Sequence, residues 1–250
     1  MQTGSDRHRV FVWGHRGAPA LLAENTLPSF AAALAGRVDG IELDVQLAAD
    51  NTVVVLHDDA VDRTTDGHGW VGTFTWPELR RLRAKNPDGS WSPDGVPRLE
   101  DVLDALPADT KFCVEYKNGP HFYPELVPRT LAIIAAHRAE DRVMVSSFDQ
   151  FALRESARLA PQVDRAAAWG MARLLEPWTV AAAVGAKFVH LHRDMAPVAD
   201  LAAMRAHGLR IAVWSLKSAA DVEQLPVDAI DAVFVDDPAW AASLRRTAPA

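Results

Sequence analysis

The sequence predicts an α/β fold, specifically a TIM (β/α)8 barrel. Short runs rich in Val, Ile, Phe and Leu alternate with Ala/Leu/Arg stretches of helical period, which is the pattern of repeated strand-then-helix units. There are nine apolar runs, and two of them are close enough along the chain to form a hairpin. Counting that hairpin once leaves eight strand–helix units, and eight parallel strands close a barrel of this type. The length of 250 residues also fits one barrel-sized domain. A doubly wound open sheet is the alternative, but it usually has only about five or six strands.

Nine apolar runs are candidate strands, and helical stretches lie between them. The candidate strands cover residues 10–13, 40–45, 52–57, 111–117, 142–147, 165–169, 187–192, 210–215 and 232–237. The clearest helical stretches cover residues 28–36, 99–106, 125–139 and 201–208. Only residues 46–51 separate the second run from the third, whereas a parallel crossover needs about a dozen residues. These two runs are therefore predicted to form an antiparallel hairpin, with Asp50 and Asn51 in its turn.

The composition is that of a globular protein, and its negative net charge disfavours the binding of polyanions. The formal net charge of −7 argues against nucleic-acid binding, so a phosphate-bearing substrate would need a local cation. No window approaches the ~18 uninterrupted apolar residues of a membrane span, and the first residues lack the apolar core of a signal peptide. The lone Cys113 cannot form an intramolecular disulfide. We expect a cytoplasmic protein without stable membrane insertion, although a secreted chain whose signal had been removed would look the same.

Polar residues gather at the carboxyl ends of the first predicted strands. In a TIM barrel these ends and the loops that follow them form the active site. The residues concerned are His15, Arg16, Glu42, Asp44, His57, Glu115 and Lys117. The strand-end positions therefore mark them as candidate site residues.

Three of these residues are carboxylates that are predicted to meet on one face. Glu42 and Asp44 are two residues apart on one strand, so both side chains point the same way, and Glu115 lies on the next barrel strand. Carboxylates that converge in a buried barrel mouth repel one another unless a cation lies between them. Because oxygen ligands favour a hard ion, we expect one divalent cation, Mg²⁺ or Ca²⁺. The alternative is that each carboxylate forms an ion pair with Arg or Lys at the rim.

The remaining strand-end residues suit proton transfer and phosphate binding. The imidazole side chain of histidine has a reference pKa of about 6.5. His15 or His57 could therefore act as a general acid or base, although a lone strand-end histidine is often structural. Arg16 offers a planar fork for two phosphate oxygens, and Lys117 a point charge on the face that carries Glu115. These residues would supply the local positive charge that the acidic chain otherwise lacks.

The combination of short motifs resembles one known family. From residue 15 to about 238 the chain reads, in order, HRG, ENT, IELDVQ, VVLHDD, DRTTDGHG, PRLEDVL, FCVEYK, SSFD and VWS. Together these motifs are similar to those of the glycerophosphodiester phosphodiesterase family. The resemblance implies a TIM barrel with a small insertion after the second barrel strand. It places that insertion at about 52–97, within one domain spanning 1–250.

The resemblance also assigns roles to the strand-end residues. It implies that Glu42, Asp44 and Glu115 bind the divalent cation and that His15 and His57 form an acid/base pair. The implied reaction is hydrolysis of a glycerophosphodiester to glycerol 3-phosphate and an alcohol. Attack by the neighbouring glycerol hydroxyl, through a cyclic phosphate, and direct attack by water are both open.

Further roles follow from the same resemblance for the residues that would contact the substrate. Arg16 and Lys117 would bind the phosphate, Trp214 would line the glycerol side of the cleft, and Glu24 would lie near the site. Two late motifs depart from the family pattern: WSLK stands at 214–217 in place of Trp-Thr-Val-Asn, and VDDP at 235–238 in place of Thr-Asp-Arg-Pro. Both departures lie on the late strands of the predicted barrel, where the resemblance implies contacts to the glycerol or the head group.

Two other functions compete with this one, and three conspicuous residues have no role in it. The chain could be a lysophospholipase D-type lipid phosphodiesterase or a non-catalytic phosphodiester-binding barrel. His190 and His192 have the parity to face the barrel mouth, where they could contact substrate. We expect structural hydrogen bonds from them instead, because the family motifs do not include them. Cys113 is expected to be a small core thiol.

Overall fold

The computed structural model of the protein describes residues 9–170, 175–196, 199–240 and 244. Its strands are β1 (Phe11–Gly14), β2 (Gly40–Leu47), β3 (Val53–Val55), β4 (Ala84–Lys85), β5 (Trp91–Ser92), β6 (Lys111–Tyr116), β7 (Val143–Ser147), β8 (Asp164–Trp169), β9 (Phe188–His192), β10 (Arg210–Leu216) and β11 (Ala232–Val235). Its α-helices are α1 (Leu27–Ala35), α2 (Trp76–Leu79), α3 (Leu99–Ala105), α4 (Leu126–Ala136), α5 (Gln150–Leu159), α6 (Pro177–Val184), α7 (Leu201–Ala206) and α8 (Ala219–Glu223). Short 3₁₀ turns cover Val71–Thr73, Arg193–Met195 and Val227–Ala229.

Eight parallel strands close into a barrel, which confirms the predicted fold. The hydrogen-bonded order around the ring is β1, β2, β6, β7, β8, β9, β10 and β11, and β11 returns to β1. Strand β3 pairs antiparallel with β2, as expected from the short connection between them. The turn of this hairpin contains Asn51 at φ 60°, in the left-handed region that asparagine tolerates.

Two apolar layers hold the barrel together. All eight residues of β2 are buried, as expected for a strand covered on both faces. The large outer layer packs the sheet against the helices and includes the fully buried Phe30, Leu153 and Met204. Inside the barrel, a smaller cluster contains Trp13, Cys113, Met144, Ala166, Ala212, Ala232 and Phe234. This apolar cluster fills the interior of the barrel, so the polar residues at the strand ends can form a site only at the mouth.

The helices are short, and ordinary end signals set their bounds. Helix α1 begins with a proline in its first turn, which is favourable there because the missing N–H has no helical partner. Helix α5 is capped by Asp149, whose side chain accepts from the Phe151 N–H at 2.8 Å. Helix α6 is followed by Gly185, whose φ of 61° lies in the left-handed region that ends many helices. Among the described residues, no helix combines the length and apolarity needed to cross a bilayer.

The insertion lies between β2 and α3, after the second barrel strand. It contains β3, α2 and a small apolar core formed by Ala48, Val54, Leu56, Val61, Val71, Leu79 and Val96. It also contains the β4–β5 ladder, in which Ala84 pairs with Ser92 and Lys85 with Trp91. The sequence predicts neither of these two strands, since two-residue strands are too short to show an alternating pattern.

Candidate active site

Three carboxylates meet at the barrel mouth, as the sequence predicts. Glu42 and Asp44 lie on β2 and are almost fully buried, and Glu115 lies on β6. The parallel register pairs Asp44 directly with Glu115. Each residue offers one oxygen, and these atoms all lie within 4.8 Å of one another. The strand register therefore brings together a set of oxygen ligands that could hold a metal ion.

The electrostatics of this cluster fit a bound cation. Burial and the neighbouring Asp44 and Glu115 raise the pKa of Glu42 well above its usual value. Burial also opposes ionisation of Asp44, but the nearby Lys117 and Arg16 hold its pKa below the ordinary value. With all three carboxylates ionised, the two cationic side chains beside them leave one negative charge in excess. A hard divalent ion would neutralise that excess and use the same oxygen atoms.

Lys117 and Arg16 are both partly buried and charged beside the cluster. The Lys117 Nζ lies 3.1 Å from Asp44 Oδ1 and 2.5 Å from Glu115 Oε1. Burial alone would lower the pKa of Lys117, but Asp44 and Glu115 raise it above its ordinary value. The Arg16 Nε lies 3.5 Å from Asp44 Oδ2. Both side chains therefore stay positively charged at the mouth of the barrel.

The loop after β1 is shaped so that Arg16 can contact the carboxylates. Arg16 has φ 55° and its backbone N–H donates to Glu42 Oε2 at 2.8 Å. Gly17 follows with φ 90°, and a Cβ at that position would lie 2.5 Å from Ser29 Oγ. Only glycine fits there without displacing α1, which accounts for the glycine of the HRG motif. The Asn25 side chain also donates to Asp44 Oδ2 at 2.8 Å.

His15 is oriented by a carboxylate from the other end of the chain. Its Nδ1 lies 2.6 Å from Oδ1 of Asp236. Asp236 directly follows β11, which is the barrel neighbour of β1. Because an ionised carboxylate only accepts hydrogen bonds, His15 Nδ1 carries the proton and Nε2 is left for the pocket.

His57 is oriented by its sequence neighbour and by a chain of charges. Its Nδ1 lies 2.6 Å from Oδ1 of Asp58. Arg63 donates to both oxygens of Asp58, from Nε at 2.5 Å and from Nη2 at 2.9 Å. Arg63 also contacts Glu24 at 2.7 and 2.8 Å, and Glu24 accepts from Arg16 at 2.9 Å. Glu24 therefore links the histidine of the insertion to the arginine that follows β1.

One pocket gathers most of the predicted residues. Its wall includes His15, Arg16, Glu42, His57, Glu115, Lys117 and Trp214. Asp44 and Glu24 lie behind this wall and contact Arg16. A wider groove adjoins the pocket and shares His57, Glu115, Lys117 and Phe148 with it. The mouth can thus accept a small anionic group, with room for an attached substituent beside His57.

Some residues at the site were not predicted. Four further residues hold predicted site residues by hydrogen bonds, and the sequence alone gave them no role: Asn25, Asp58, Arg63 and Asp236. The aspartate that directly follows His57 in the HDD motif was an available signal. The contact between His15 and Asp236 spans 221 positions, so local sequence gives no sign of it.

Structural roles are expected for three residues that are not among the predicted site residues. Cys113 is buried, and burial raises the pKa of its thiol, in agreement with a core role. His192 Nδ1 accepts from the Asp194 N–H at 3.3 Å, as expected. His190 differs from the expectation, because its buried Nε2 has no hydrogen-bond partner in the described structure. The small alanines beside it on β8 and β10 offer no polar atom.

The chain is similar to known proteins over nearly its whole length. It matches the "Glycerophosphoryl diester phosphodiesterase family" over residues 15–240. It is 32% identical over 242 residues to a "Glycerophosphodiester phosphodiesterase" of Caldanaerobacter subterraneus subsp. tengcongensis, and the match covers 95% of this chain and 98% of that protein. It is also 32% identical over 239 residues to the Bacillus subtilis protein YqiK, covering 94% of this chain and 98% of that relative.

Solved structures share the same fold. A phosphodiesterase of Oleispira antarctica in complex with the product sn-glycerol-3-phosphate superposes with a TM-score of 0.83 at 26% identity, covering 94% of this chain and 96% of that chain. A glycerophosphodiester phosphodiesterase of Agrobacterium tumefaciens superposes with a TM-score of 0.80 at 26% identity, covering 94% and 99%. Sequence motifs, barrel topology and the full-length matches agree, and the chain belongs to the glycerophosphoryl diester phosphodiesterase family.

Proposed function

We propose that the protein hydrolyses glycerophosphodiesters to sn-glycerol 3-phosphate and an alcohol. The observation that carries the proposal is one pocket that contains two carboxylate-oriented histidines, His15 and His57, beside a three-carboxylate cluster and two cations. The names of the relatives support the reaction class, and the Oleispira antarctica structure contains the corresponding product. The net charge of −7 favours a small-molecule substrate over nucleic acid.

Within this proposal, Glu42, Asp44 and Glu115 hold one divalent cation, Mg²⁺ or Ca²⁺. When bound, that ion acts as a Lewis acid toward the phosphoryl oxygens. The carboxylates keep the ion at the mouth because the β2–β6 register fixes their spacing. The proposed role agrees with the raised pKa of Glu42, since a carboxyl that is costly to ionise alone gains from a neighbouring cation.

The side chains around the cluster bind phosphate and move protons. Arg16 and Lys117 neutralise the phosphodiester oxygens. One histidine accepts a proton at Nε2 from the attacking oxygen, which belongs either to water or to the neighbouring glycerol hydroxyl. The other histidine donates a proton to the leaving alcohol oxygen as its bond to phosphorus breaks. When the glycerol hydroxyl attacks, a water then opens the cyclic phosphate with the two proton-transfer roles reversed, which gives glycerol 3-phosphate. The anchored Nδ1 atoms of His15 and His57 keep both Nε2 atoms available. Trp214 supplies an apolar surface on the glycerol side.

The test is release of sn-glycerol 3-phosphate from glycerophosphocholine and glycerophosphoethanolamine. The purified protein is treated with EDTA and then supplied with Mg²⁺ or Ca²⁺. We expect turnover that EDTA abolishes and one of the two ions restores. No turnover under any metal condition contradicts the proposal.

Two parallel measurements separate the competing functions. Faster cleavage of lysophosphatidylcholine than of glycerophosphocholine indicates a lysophospholipase D-type enzyme. Thermal stabilisation by glycerophosphocholine without any cleavage indicates a non-catalytic binding barrel. We expect neither result. The three carboxylates and both histidines argue for turnover, and the name of the relative favours a glycerophosphodiester substrate.

A further inference from the structure

The pocket has two chemically different halves. Its charged and proton-transfer groups all come from residues 15–117, that is, from β1, β2, the insertion and β6. The lining residues from β7 onward are neutral at neutral pH. They are Ser146, Phe148, Ala168, His190, Trp214 and Phe234. A glycerophosphodiester has the same division, with an anionic phosphate joined to a neutral polyol.

In the neutral half of the pocket, His190 has a buried polar atom without a hydrogen-bond partner in the described part of the chain. It lies in the middle of β9, its residue surface is 3% exposed, and its Nε2 has no hydrogen-bond partner among the described residues. Burial lowers the pKa of His190 to about 3, so the ring is neutral at physiological pH. Buried polar atoms are nearly always paired, so an unpaired one that borders a pocket indicates a ligand atom or a water at that place.

The neighbours of His190 leave room for such an atom. The parallel register places Ala168 of β8 on one side of it and Ala212 of β10 on the other. Larger side chains at these two positions would fill the space beside the imidazole. The Phe234 ring packs against His190 at a centroid distance of 4.9 Å with an interplanar angle of 64°, which holds the ring in place.

Trp214 also packs against this part of the pocket. Its indole N–H donates to the main-chain carbonyl of His190 at 3.4 Å, and its ring contacts Phe148 edge-on at 5.8 Å. The polar groups that this half presents to a ligand are then the His190 ring and the Ser146 hydroxyl, which lies 3.5 Å from the Cys113 sulfur. Of these two, only the His190 atom lacks a partner.

We propose that His190 is a specificity-determining residue that hydrogen-bonds the terminal hydroxyl of the glycerol moiety through Nε2. The inference rests on the proposed function and adds a contact on the polyol side. A neutral imidazole has one N–H and one lone pair, and a hydroxyl can both donate and accept, so the pair is complementary in either tautomer. The hydroxyl next to the phosphate is left for the chemistry at phosphorus.

The test compares two substrates that differ by that hydroxyl. Glycerophosphocholine is measured beside 2-hydroxypropyl phosphocholine, which keeps the hydroxyl next to the phosphate and lacks the terminal one. For the wild type we expect kcat/KM to fall roughly 10- to 100-fold on the deoxy substrate, because the His190 nitrogen is again unpaired. His190→Phe, which keeps the ring shape without polar atoms, should lower kcat/KM on glycerophosphocholine alone and reduce the ratio between the substrates to about 1.

Matched variants separate a contact from a packing effect. His190→Gln keeps a donor and an acceptor and should retain part of the discrimination. His68→Phe makes the same change at an exposed histidine of the insertion, which does not line the pocket, and should keep the wild-type ratio. His190→Ala replaces the phenylalanine variant if that variant does not fold, since alanines already flank the position.

The outcomes also distinguish this inference from the proposed function. Cleavage of glycerophosphocholine by the wild type establishes the function whatever His190 does. If His190→Phe lowers kcat/KM equally on both substrates, or leaves both unchanged, His190 holds a water or only packs the pocket, and the inference is wrong. An unchanged dissociation constant of His190→Phe for sn-glycerol 3-phosphate, measured by calorimetry, would contradict it independently of turnover.

Discussion

The two histidines of the pocket are held in the same way by very different parts of the molecule. Each has its Nδ1 2.6 Å from an aspartate oxygen. His15 and Asp236 follow two adjacent parallel strands of the closed barrel, so the backbone of the sheet sets their distance. His57 and Asp58 are sequence neighbours in the insertion, and Arg63 fixes the aspartate from outside the barrel.

The difference shows two ways of building one geometry. On the barrel side, the Asp236 carboxylate accepts a hydrogen bond from His15 alone among the described side chains. The packing of β1 and β11 holds the two residues at this distance. On the insertion side, hydrogen bonds from His57 and then from Arg63 hold the pKa of Asp58 below its ordinary value, although burial opposes this. The Arg63 side chain is 49% exposed. The barrel side should therefore be sensitive to packing, and the insertion side to charge and salt.

Removing either histidine should give the largest effect and should affect the two sides equally. His15→Gln and His57→Gln are each expected to lower kcat/KM by about 10²- to 10⁴-fold, the usual contribution of a general acid or base. The assay is release of sn-glycerol 3-phosphate under the best metal condition. His68→Gln is the control, because His68 is an exposed histidine of the same insertion. A variant of either site histidine with wild-type activity would remove that residue from the mechanism.

Replacing the two aspartates should separate the sides. In Asp58→Asn, the amide must face donors at both oxygen positions, since His57 and Arg63 reach Oδ1 and Arg63 also reaches Oδ2. Its NH₂ group then opposes a donor in either orientation. We expect a loss in kcat/KM of roughly 10- to 100-fold, as for other residues that orient a ligand or base.

Asp236→Asn should be milder than Asp58→Asn. Asp236 meets one donor, so the amide can turn its oxygen toward His15 and keep the orientation of the ring. We expect a loss of less than about 10-fold in the same assay, since only the charge is lost. Melting temperatures of both variants serve as the control for folding. A larger loss for Asp236→Asn would contradict the described difference between the two sides.

On the barrel side, a substitution that distorts the backbone of the loop after β1 should lower stability and activity together. Gly17→Ala places a Cβ 2.5 Å from Ser29 Oγ at a residue with φ 90°, and we expect destabilisation of roughly 2–4 kcal/mol with about a 10-fold loss of activity. Gly89→Ala is the matched control in the insertion, with φ 85° and no heavy atom within 4 Å of the added Cβ. It should cost only about 1 kcal/mol and leave activity unchanged. Urea unfolding and initial rates measure both effects.

Changing Arg63 should give the smallest effect and the clearest dependence on salt. Arg63→Gln is expected to lower kcat/KM only about 2- to 5-fold, because exposed ion pairs contribute little. Added NaCl should lower wild-type activity toward that of the variant and change the variant less. Arg83→Gln is the control, since Arg83 forms an exposed ion pair with Asp66 in the same insertion. Equal effects of the two variants would show that Arg63 does not support His57.

The sequence predicts much of this structure because strand-end positions carry information. The apolar runs identify the eight barrel strands and the β2–β3 hairpin, since buried strands must be apolar and short connections cannot cross over. The two-residue spacing of Glu42 and Asp44 predicts a shared face for the same reason. The short β4–β5 ladder was missed, because its four residues contain no period to detect.

Local pattern alone thus determines the fold class, the face on which the carboxylates lie and the strand ends that carry the histidines. Only the tertiary structure decides which groups support them. The pairing of His15 with Asp236 depends on barrel closure between β1 and β11, and the link from His57 through Arg63 to Glu24 depends on how the insertion sits on the mouth. The unpaired nitrogen of His190 is likewise visible only in three dimensions, because hydrogen bonding is a property of neighbours in space and not of spacing along the chain.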